Sequence, residues 1–272
     1  MTAVTITPGA VRVLEPRVGA AQTARDTLVM AYRSLLKIRR TPEHLFDVTF
    51  QPLIFTLMFA YLFGGAVAGG TTSYLPMLIP GVLVQIVLSA TAASGTQLRE
   101  DMDKGVFDRI KSLPISRMAP LAGGLFADTV RYAIATTLTF LTAFAIGYRP
   151  GGGVVGVLGA GALVITCGWA MSWIFALLGV HARSASGVQG ISFLVLIPLT
   201  FLSNVFVPVE TMPGWLQAIV HANPVSHVVT AARDLANTGA FTSDGWLALL
   251  GAAVVVAVFA PLTVRKYRAH VG

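Results

Sequence analysis

The sequence predicts an all-α integral membrane protein, and three observations carry that prediction. Of the 272 residues, 55% are hydrophobic and 11% are charged, whereas soluble domains average about 45–50% apolar and about 25% charged residues. Six segments are long and apolar enough to cross a hydrocarbon core of roughly 30 Å. Basic residues collect in alternate connections between these segments, which is the distribution typical of inserted membrane proteins.

The six predicted spans run over about 48–67, 75–98, 121–147, 154–180, 187–207 and 246–264. Five of them contain no charged residue, and the third contains Asp128 and Arg131 near its start. Charges at mid-membrane cost about 2.5 kcal/mol or more, but these two lie only one to two turns inside the predicted boundary. Their i, i+3 spacing on one helix face predicts a structural ion pair rather than a proton relay.

The distribution of Lys and Arg predicts the orientation of the chain. Sixteen of the 19 Lys and Arg residues lie in the segments 1–47, 99–120, 181–186 and 265–272, which the positive-inside rule assigns to the cytoplasm. The opposite connections carry only Arg149 and Arg233. Both termini and the 99–120 loop are therefore expected in the cytoplasm, and the net charge of +7 needs no nucleic-acid partner. The first 47 residues show no secretory signal.

The N-terminal part is predicted to be a disordered tail over residues 1–22, followed by an amphipathic interfacial helix in the segment 23–47. Apolar residues recur there at i, i+4, i+7 and i+8, and basic residues occupy another face. The apolar residues are Leu28, Tyr32, Leu35 and Leu36. Such a helix is held by anionic lipid alone or also contacts a partner protein, and the sequence leaves both alternatives open.

The 99–120 loop is predicted to contain a short cytoplasmic helix, because Met102, Val106, Ile110 and Leu113 recur at helical spacing. Charged residues of both signs alternate around them. This pattern suits docking on a protein better than binding to anionic lipid. A solvated connector is the alternative.

The external stretch 208–245 contains two apolar patches of about 8–12 residues, each preceded by a helix-start signal at Pro213-Gly214 or Asn223-Pro224. Neither patch is long enough to span. We therefore expect two short half-buried helices, with Trp215 at the membrane interface. A small extracytoplasmic domain would have too few apolar residues for a core.

The sequence lacks the usual signatures of enzymes. No glycine-rich segment is followed by Lys-Ser or Lys-Thr, so no P-loop is present. The single cysteine, Cys167, excludes an internal disulfide. The five histidines are scattered, and His221 and His227 do not have the spacing of a helical metal pair. No catalytic residue, metal site or cofactor is predicted, and an ion-coupled carrier would need a relay of buried acids.

Several motifs in this chain are similar to one family of membrane proteins. The loop Asp103-Lys104-Gly105-Val106-Phe107-Asp108-Arg109-Ile110-Lys111-Ser112-Leu113-Pro114 follows the second span. A later block contains Asn204-Val205-Phe206-Val207-Pro208, Met212-Pro213-Gly214-Trp215-Leu216 and Asn223-Pro224-Val225, and ends near Arg233. With their order and topology, these motifs resemble the ABC-2 type permease subunits of ATP-binding-cassette exporters, especially the daunorubicin-resistance type of drug and lipid exporter.

The resemblance implies partners and a location. Two permeases, identical or paired with a sister permease, assemble in the bacterial plasma membrane with two separate ATPase subunits, which bind ATP and Mg²⁺. The amphipathic helix and the 99–120 loop form the contact with the ATPase, the loop as a coupling helix. The implied ATPase-coupling residues are Asp103, Lys104, Val106, Phe107, Asp108, Arg109 and Ile110.

The resemblance also implies a pathway for hydrophobic molecules at the permease interface, closed on the outside by the short helices. The implied external gate residues are Phe206, Pro208, Met212, Pro213, Trp215, Asn223 and Pro224. The candidate pathway residues are Phe55, Phe59, Gln85, Phe201 and Asn204. The function expected is export of a hydrophobic drug-like or lipid substrate. The alternatives are a lipid-linked glycan exporter, an ion-coupled carrier and a membrane scaffold.

Overall fold

The computed structural model describes residues 20–40, 42–106, 116 and 118–271, and within these residues the regular structure is entirely helical. The predicted tail up to residue 19 and the loop residues 107–115 lie outside the described residues. The helices are α1 (Ala20–Arg40), α2 (Pro42–Ala68), α3 (Thr71–Asp103), α4 (Ala119–Ala145), α5 (Gly153–His181), α6 (Ala185–Phe201), α7 (Gly214–Ala222), α8 (Pro224–Thr238) and α9 (Ser243–Val271). A 3₁₀ turn, Val209–Thr211, precedes α7.

Four of the described helices are long and apolar enough to cross a membrane, which confirms the prediction of an all-α membrane protein. They are Thr49–Ala68 within α2, α3, α5 and Ser243–Ala269 within α9. Helices α4 and α6 occupy the other two predicted spans. α4 has 27 residues but carries Asp128 and Arg131, and α6 is apolar but has only 17 residues. The count of six spans therefore stays a prediction.

Three helix boundaries differ from the predicted segments. Helix α1 begins at Ala20, so residues 20–22 of the predicted disordered tail are helical. The chain leaves α1 at Arg40 and enters α2 at Pro42, where the fixed φ of proline suits a first helical turn. The predicted fifth span continues to residue 207, but α6 ends at Phe201, three residues after Pro198. Residues 202–208 continue without helix, although the side chain of Val205 is fully buried.

Helix α3 lies at the centre of the bundle, in contact with α2, α4, α5, α6 and α8. Its buried side chains fall on all faces between Tyr74 and Val87, as expected for a helix that is surrounded by other helices. Helix α1 packs mainly against α4, and α9 packs mainly against α5 and α8. The core of the bundle is therefore organised around α3 and α5.

Helix α8 runs alongside α5 and reaches well into the bundle. At one end, the Gly152 N–H just before α5 donates to the Ala236 carbonyl over 3.0 Å. Further along, Ala231 packs in a cluster with Leu163 and Cys167. Residues 152 and 167 are about 22 Å apart along a helix that rises 1.5 Å per residue. The start of α8 is therefore its deep end, and the preceding α7 is the shorter, more exposed partner.

Candidate functional site

The first group of predicted site residues lies where α3 ends. Asp103 accepts a hydrogen bond from Arg99, and Lys104 forms a salt bridge of 3.1 Å with Glu100. Gly105 then adopts a φ of +63°, a left-handed conformation that glycine accepts without steric cost. The predicted coupling residues Phe107, Asp108, Arg109 and Ile110 lie outside the described residues. Asp103, Lys104 and Val106 are thus the part of this set that the structure describes.

Helix α1 is held on the same end of the bundle. Lys37 forms a salt bridge of 3.0 Å with Asp101 at the end of α3, and Asp26 accepts a hydrogen bond of 2.9 Å from the Ser116 backbone N–H just before α4. A Cβ at Gly123 would lie 2.6 Å from the Met30 Cβ. The glycine therefore permits a close approach of α1 to α4.

The face of α1 that points away from the bundle carries apolar side chains next to the exposed Arg25 and Arg33. Leu28, Val29 and Tyr32 are all more than half exposed, whereas Ala31 is buried against the bundle. Two residues of the predicted apolar stripe, Leu28 and Tyr32, thus remain available to a membrane or a partner. We refer to α1 together with the last turn of α3 as the α1 end.

Asp128 and Arg131 form an ion pair in α4, with 2.8 Å between Oδ1 and Nη2, and both side chains are at most 6% exposed. The Arg131 guanidinium also donates to the Ala90 carbonyl of α3 over 2.7 Å and lies 5.7 Å from the centre of the Tyr132 ring. These contacts tie α4 to α3. They fit a structural brace rather than a relay, since the guanidinium is paired with a carboxylate and hydrogen-bonded to a carbonyl.

Three of the candidate pathway residues lie together with one gate residue. The Phe206 ring stacks on Phe59 with centroids 4.4 Å apart and lies 5.8 Å from Phe201. Phe55 contacts Phe59 at 5.8 Å. Gln85 instead donates to Ser89 within α3 over 3.3 Å. The aromatic cluster joins α2, the end of α6 and the segment after α6.

The remaining gate residues shape the chain between α6 and α8. The Pro208 carbonyl accepts a hydrogen bond of 3.2 Å from the Thr211 N–H, and the Met212 carbonyl accepts one of 2.8 Å from Gln217. Pro213 immediately precedes α7, whose Trp215 is 69% exposed. The short helix α7 therefore displays an aromatic side chain on the surface, as expected for an interfacial helix.

Asn223 links the end of α6 to the start of α8. Its Nδ2 donates to the carbonyls of Leu199 and Leu202 over 2.7 Å each, while its Oδ1 accepts from the Val225 N–H over 2.9 Å. Pro224 is the first residue of α8. One side chain thus caps the beginning of α8 and satisfies carbonyls that the end of α6 leaves open.

Arg233 braces the same region, and it was not among the predicted site residues. Its guanidinium donates to the Met77 carbonyl of α3 over 3.2 Å and to the Asn204 carbonyl over 3.0 Å. Burial lowers the pKa of Arg233, and the carboxylates of Asp234 and Glu210 act in the opposite direction. The guanidinium stays charged, because arginine side chains are not deprotonated in proteins.

Further hydrogen bonds complete this brace between α3 and α8. Asn237 donates to the Pro76 carbonyl over 2.8 Å and accepts from the Tyr148 hydroxyl over 2.8 Å. The Tyr74 hydroxyl donates to the Phe206 carbonyl over 2.6 Å. Burial raises the pKa of Tyr148 to about 12, so this hydroxyl keeps its proton at neutral pH. We refer to the 202–213 segment, α7, α8 and the start of α3 as the α8 end.

A histidine and an aspartate also meet at the α8 end, 17 residues apart in sequence. The Nδ1 of His227 in α8 lies 2.6 Å from the Oδ1 of Asp244 in the first turn of α9. Asn204 donates to the Thr230 hydroxyl over 2.8 Å. The sequence signal that could have singled out Arg233 is that it is the one Lys or Arg residue in 208–245.

This arrangement defines a helical membrane protein with a helix that re-enters the bundle, braced at one end by buried polar side chains. The model of the ABC-2 type transporter family matches residues 25–236. A daunorubicin resistance ABC transporter permease protein of Streptomyces coeruleorubidus is 46% identical, over 97% of this chain and 98% of that protein. The chain therefore belongs to the ABC-2 type transporter family.

More distant relatives share most of the chain as well. A probable doxorubicin resistance ABC transporter permease protein of Mycobacterium tuberculosis is 23% identical over 90% of both chains. A putative transport permease of Cyanophora paradoxa is 25% identical over 82% of this chain and 76% of that protein. The relatives are ABC permease subunits or transport permeases, so the family resemblance predicted from the motifs is confirmed.

Proposed function

We propose that this chain is the membrane-spanning subunit of an ATP-driven exporter that moves a hydrophobic drug-like or lipid substrate outward. In this proposal the α1 end faces the cytoplasm and the α8 end faces the outside of a bacterial plasma membrane. The observation that supports it most directly is the 46% identity to a daunorubicin resistance permease over almost the whole length of both chains. The energy would come from a separate ATPase subunit.

The α1 end supports the docking of such a subunit. Its apolar face presents Leu28, Val29 and Tyr32, and the salt bridge between Lys37 and Asp101 fixes α1 to α3. A force applied to α1 or to the following loop would therefore reach α3, which contacts most other helices of the bundle. ATP binding shifts the transporter between two arrangements only if the contacts differ between them.

The outer faces of α2 and α6 support association with a second permease. Both helices expose large apolar side chains beside the aromatic cluster, including Ile54 and Tyr61 on α2 and Phe193 and Ile197 on α6. Lipid would cover these faces as well as a second permease would. We therefore propose that part of each face contacts the second permease and the rest contacts lipid. A hydrophobic substrate would pass between the two copies, near Phe59 and Phe206.

The experiment is co-expression with the P-loop ATPase that a neighbouring reading frame is expected to encode. We expect the two chains to co-purify, and we expect hydrolysis in lipid vesicles to be stimulated by a hydrophobic cation such as rhodamine 6G. Phe107→Ala and charge reversal at Asp108 and Arg109 are expected to lower co-purification and efflux without lowering membrane insertion. Trp215→Ala, at the opposite end, serves as the control for co-purification.

The result that contradicts the proposal is equally specific. Efflux by the purified permease without any ATPase would overturn it in favour of an ion-coupled carrier. Unchanged co-purification and efflux in all the coupling-loop variants would show that the loop does not contact the ATPase. Accessibility of a cysteine at Ser112 to an impermeant thiol reagent from outside intact cells would reverse the proposed orientation.

A further inference from the structure

His227 lines two partly open cavities of a single copy of the chain. The first, which we name the apolar chamber, has a volume of about 380 Å³ and lies between α3, α5, α8 and α9. Its lining includes Val87, Cys167, Leu199, Val228, Gly251 and Val255. Pockets of about 300–1,000 Å³ are the size that holds a drug-sized molecule. None of these lining residues belongs to the aromatic cluster between α2 and α6.

The second cavity, which we name the polar chamber, has a volume of about 440 Å³ and lies at the α8 end. Its lining includes Asn204, Glu210, Ser226, Arg233, Asp234 and Asp244. His227 lines both chambers, and its ring is held by Asp244. The two chambers are therefore neighbours, and His227 is where a molecule with an apolar body in one would reach the other with a polar group.

The charges around the polar chamber favour a cation. Three carboxylates line it, those of Glu210, Asp234 and Asp244, together with the guanidinium of Arg233 and the imidazoles of His221 and His227. That guanidinium is already hydrogen-bonded to two carbonyls. A cationic group entering the chamber would consequently meet an excess of negative charge, and in a partly buried site this attraction is stronger than in water.

Two buried oxygens in the same chamber lack a hydrogen-bond partner. They are Oδ1 of Asn204 and Oγ of Ser226, whose residues are 6% and 5% exposed. A buried polar atom without a partner costs free energy, and such atoms are natural partners for the N–H or O–H groups of a ligand. This observation is independent of the charge distribution, and it points to the same chamber.

We infer that the apolar and polar chambers together form a binding site for an amphiphilic organic cation within one permease copy. The apolar body lies between α5 and α9, and the cationic group lies beside Asp244. The inference rests on the proposed export function only for the role of the bound molecule. The site itself is a property of this chain, separate from the aromatic cluster where two copies are proposed to meet.

Gly251 offers a place to test occupancy, because a Cβ added there meets no atom within 4 Å. The test uses full-length permease in lipid nanodiscs, with Cys167→Ala and a reporter cysteine at Gly251→Cys. The matched control is Ala253→Cys, on the exposed face of the same helix. The probes are trimethylammonium-diphenylhexatriene and uncharged diphenylhexatriene, which share one apolar body. The readout is the rate of alkylation by N-ethylmaleimide.

We expect the cationic probe to slow alkylation at Gly251→Cys at least about fivefold and to leave Ala253→Cys unchanged. The uncharged probe is expected to need about tenfold higher concentration for the same protection, because it lacks the attraction to the carboxylates. Asp244→Asn keeps an acceptor for His227 and removes the charge, so it should abolish this difference. Glu100→Gln, at the α1 end, should preserve it.

Other outcomes overturn the inference. Equal protection by both probes would show that the site does not prefer a cationic ligand. An unchanged preference in Asp244→Asn would lead to the conclusion that Asp244 does not attract the cation. Protection at both cysteines would mean that the probe partitions into the bilayer. A co-purifying phospholipid that neither probe displaces would show that the chamber binds lipid.

Gly251→Leu, which fills the chamber, should abolish binding, whereas Ala253→Leu should not. Size-exclusion elution and thermal unfolding show that both variants fold.

The binding test and the transport test fail independently. Probe binding is measured on the permease alone, without the ATPase. If the Gly251→Cys reporter is protected but ATP-driven efflux fails, the binding site is supported and the exporter proposal is contradicted. If ATP-driven efflux occurs but the reporter is not protected, the exporter proposal is supported and the binding site is contradicted.

Discussion

The two ends of the bundle are held by different kinds of interaction. At the α8 end, buried and half-buried side chains donate to backbone carbonyls, as the half-buried Arg233 does to Met77 and the buried Asn223 does to Leu199. At the α1 end, partly exposed charges pair with each other, as Lys37 does with Asp101. Exposed ion pairs contribute little to stability and are weakened by salt, whereas a buried hydrogen bond is costly to lose. The α8 end is therefore the rigid end, and the α1 end is the adjustable one.

The largest effect is expected from Arg233→Ala, which leaves two carbonyls without their donor. Hydrogen bonds from a charged group contribute about 1.5–3 kcal/mol each, so we expect a loss of about 3 kcal/mol or more, measured as a large fall in the midpoint of thermal unfolding in detergent. The matched control is Arg149→Ala, since Arg149 also donates to two carbonyls but is exposed. Equal losses of stability in the two variants would show that the half-buried contacts of Arg233 matter no more than the exposed contacts of Arg149.

Gly81→Ala is expected to have the second-largest effect, because a Cβ there would lie 2.1 Å from the Val205 carbonyl oxygen. The segment after α6 would have to move away from α3, and overpacking of this kind costs about 1–3 kcal/mol. In Gly65→Ala the added methyl meets no atom within 4 Å, so that variant should be unchanged or slightly more stable. A tolerant Gly81→Ala variant would show that the 202–207 segment is loosely held.

The smallest effect on stability is expected from Lys37→Ala. Loss of its exposed pair with Asp101 should change the free energy of unfolding by less than about 1 kcal/mol, with a difference that shrinks at high salt. Lys37→Ala should nevertheless reduce stimulation of the ATPase clearly, because α1 is proposed to transmit force. The exchanged pair Lys37→Asp with Asp101→Lys should restore coupling. If the exchanged pair fails to restore ATPase stimulation, the salt bridge between residues 37 and 101 does not transmit force from α1 to α3.

The sequence was sufficient to predict the parts of the fold that depend on local pattern. Hydropathy identified the apolar helices, and Asn223-Pro224 located the start of α8, because proline and a capping side chain act within one turn. Asp128 and Arg131 were recognised as a pair for the same reason, since i, i+3 neighbours share a helix face.

The contacts of the α8 end depend on tertiary structure and could not be predicted. The acceptors of Arg233 are carbonyls of Met77 and Asn204, and every residue carries a carbonyl, so sequence gives no sign of which ones need a donor. The same holds for His227 and Asp244, which lie in different helices and are 17 residues apart in sequence. Phe55, Phe59 and Phe201 were named from resemblance, and the structure shows that Phe206 lies beside Phe59 and Phe201, with Phe55 next to Phe59.

The early end of α6 at Phe201 has a consequence for how the chain is made. The carbonyls of Leu199, Leu202 and Asn204 are synthesised before Asn223 and Arg233, which supply their donors. A backbone carbonyl without a donor is costly in hydrocarbon, so this part of the chain cannot settle at its final depth when it leaves the ribosome. Nascent chains that stop before residue 233 should accordingly be recognised as unfinished by membrane proteases, even though most of their helices are already inserted.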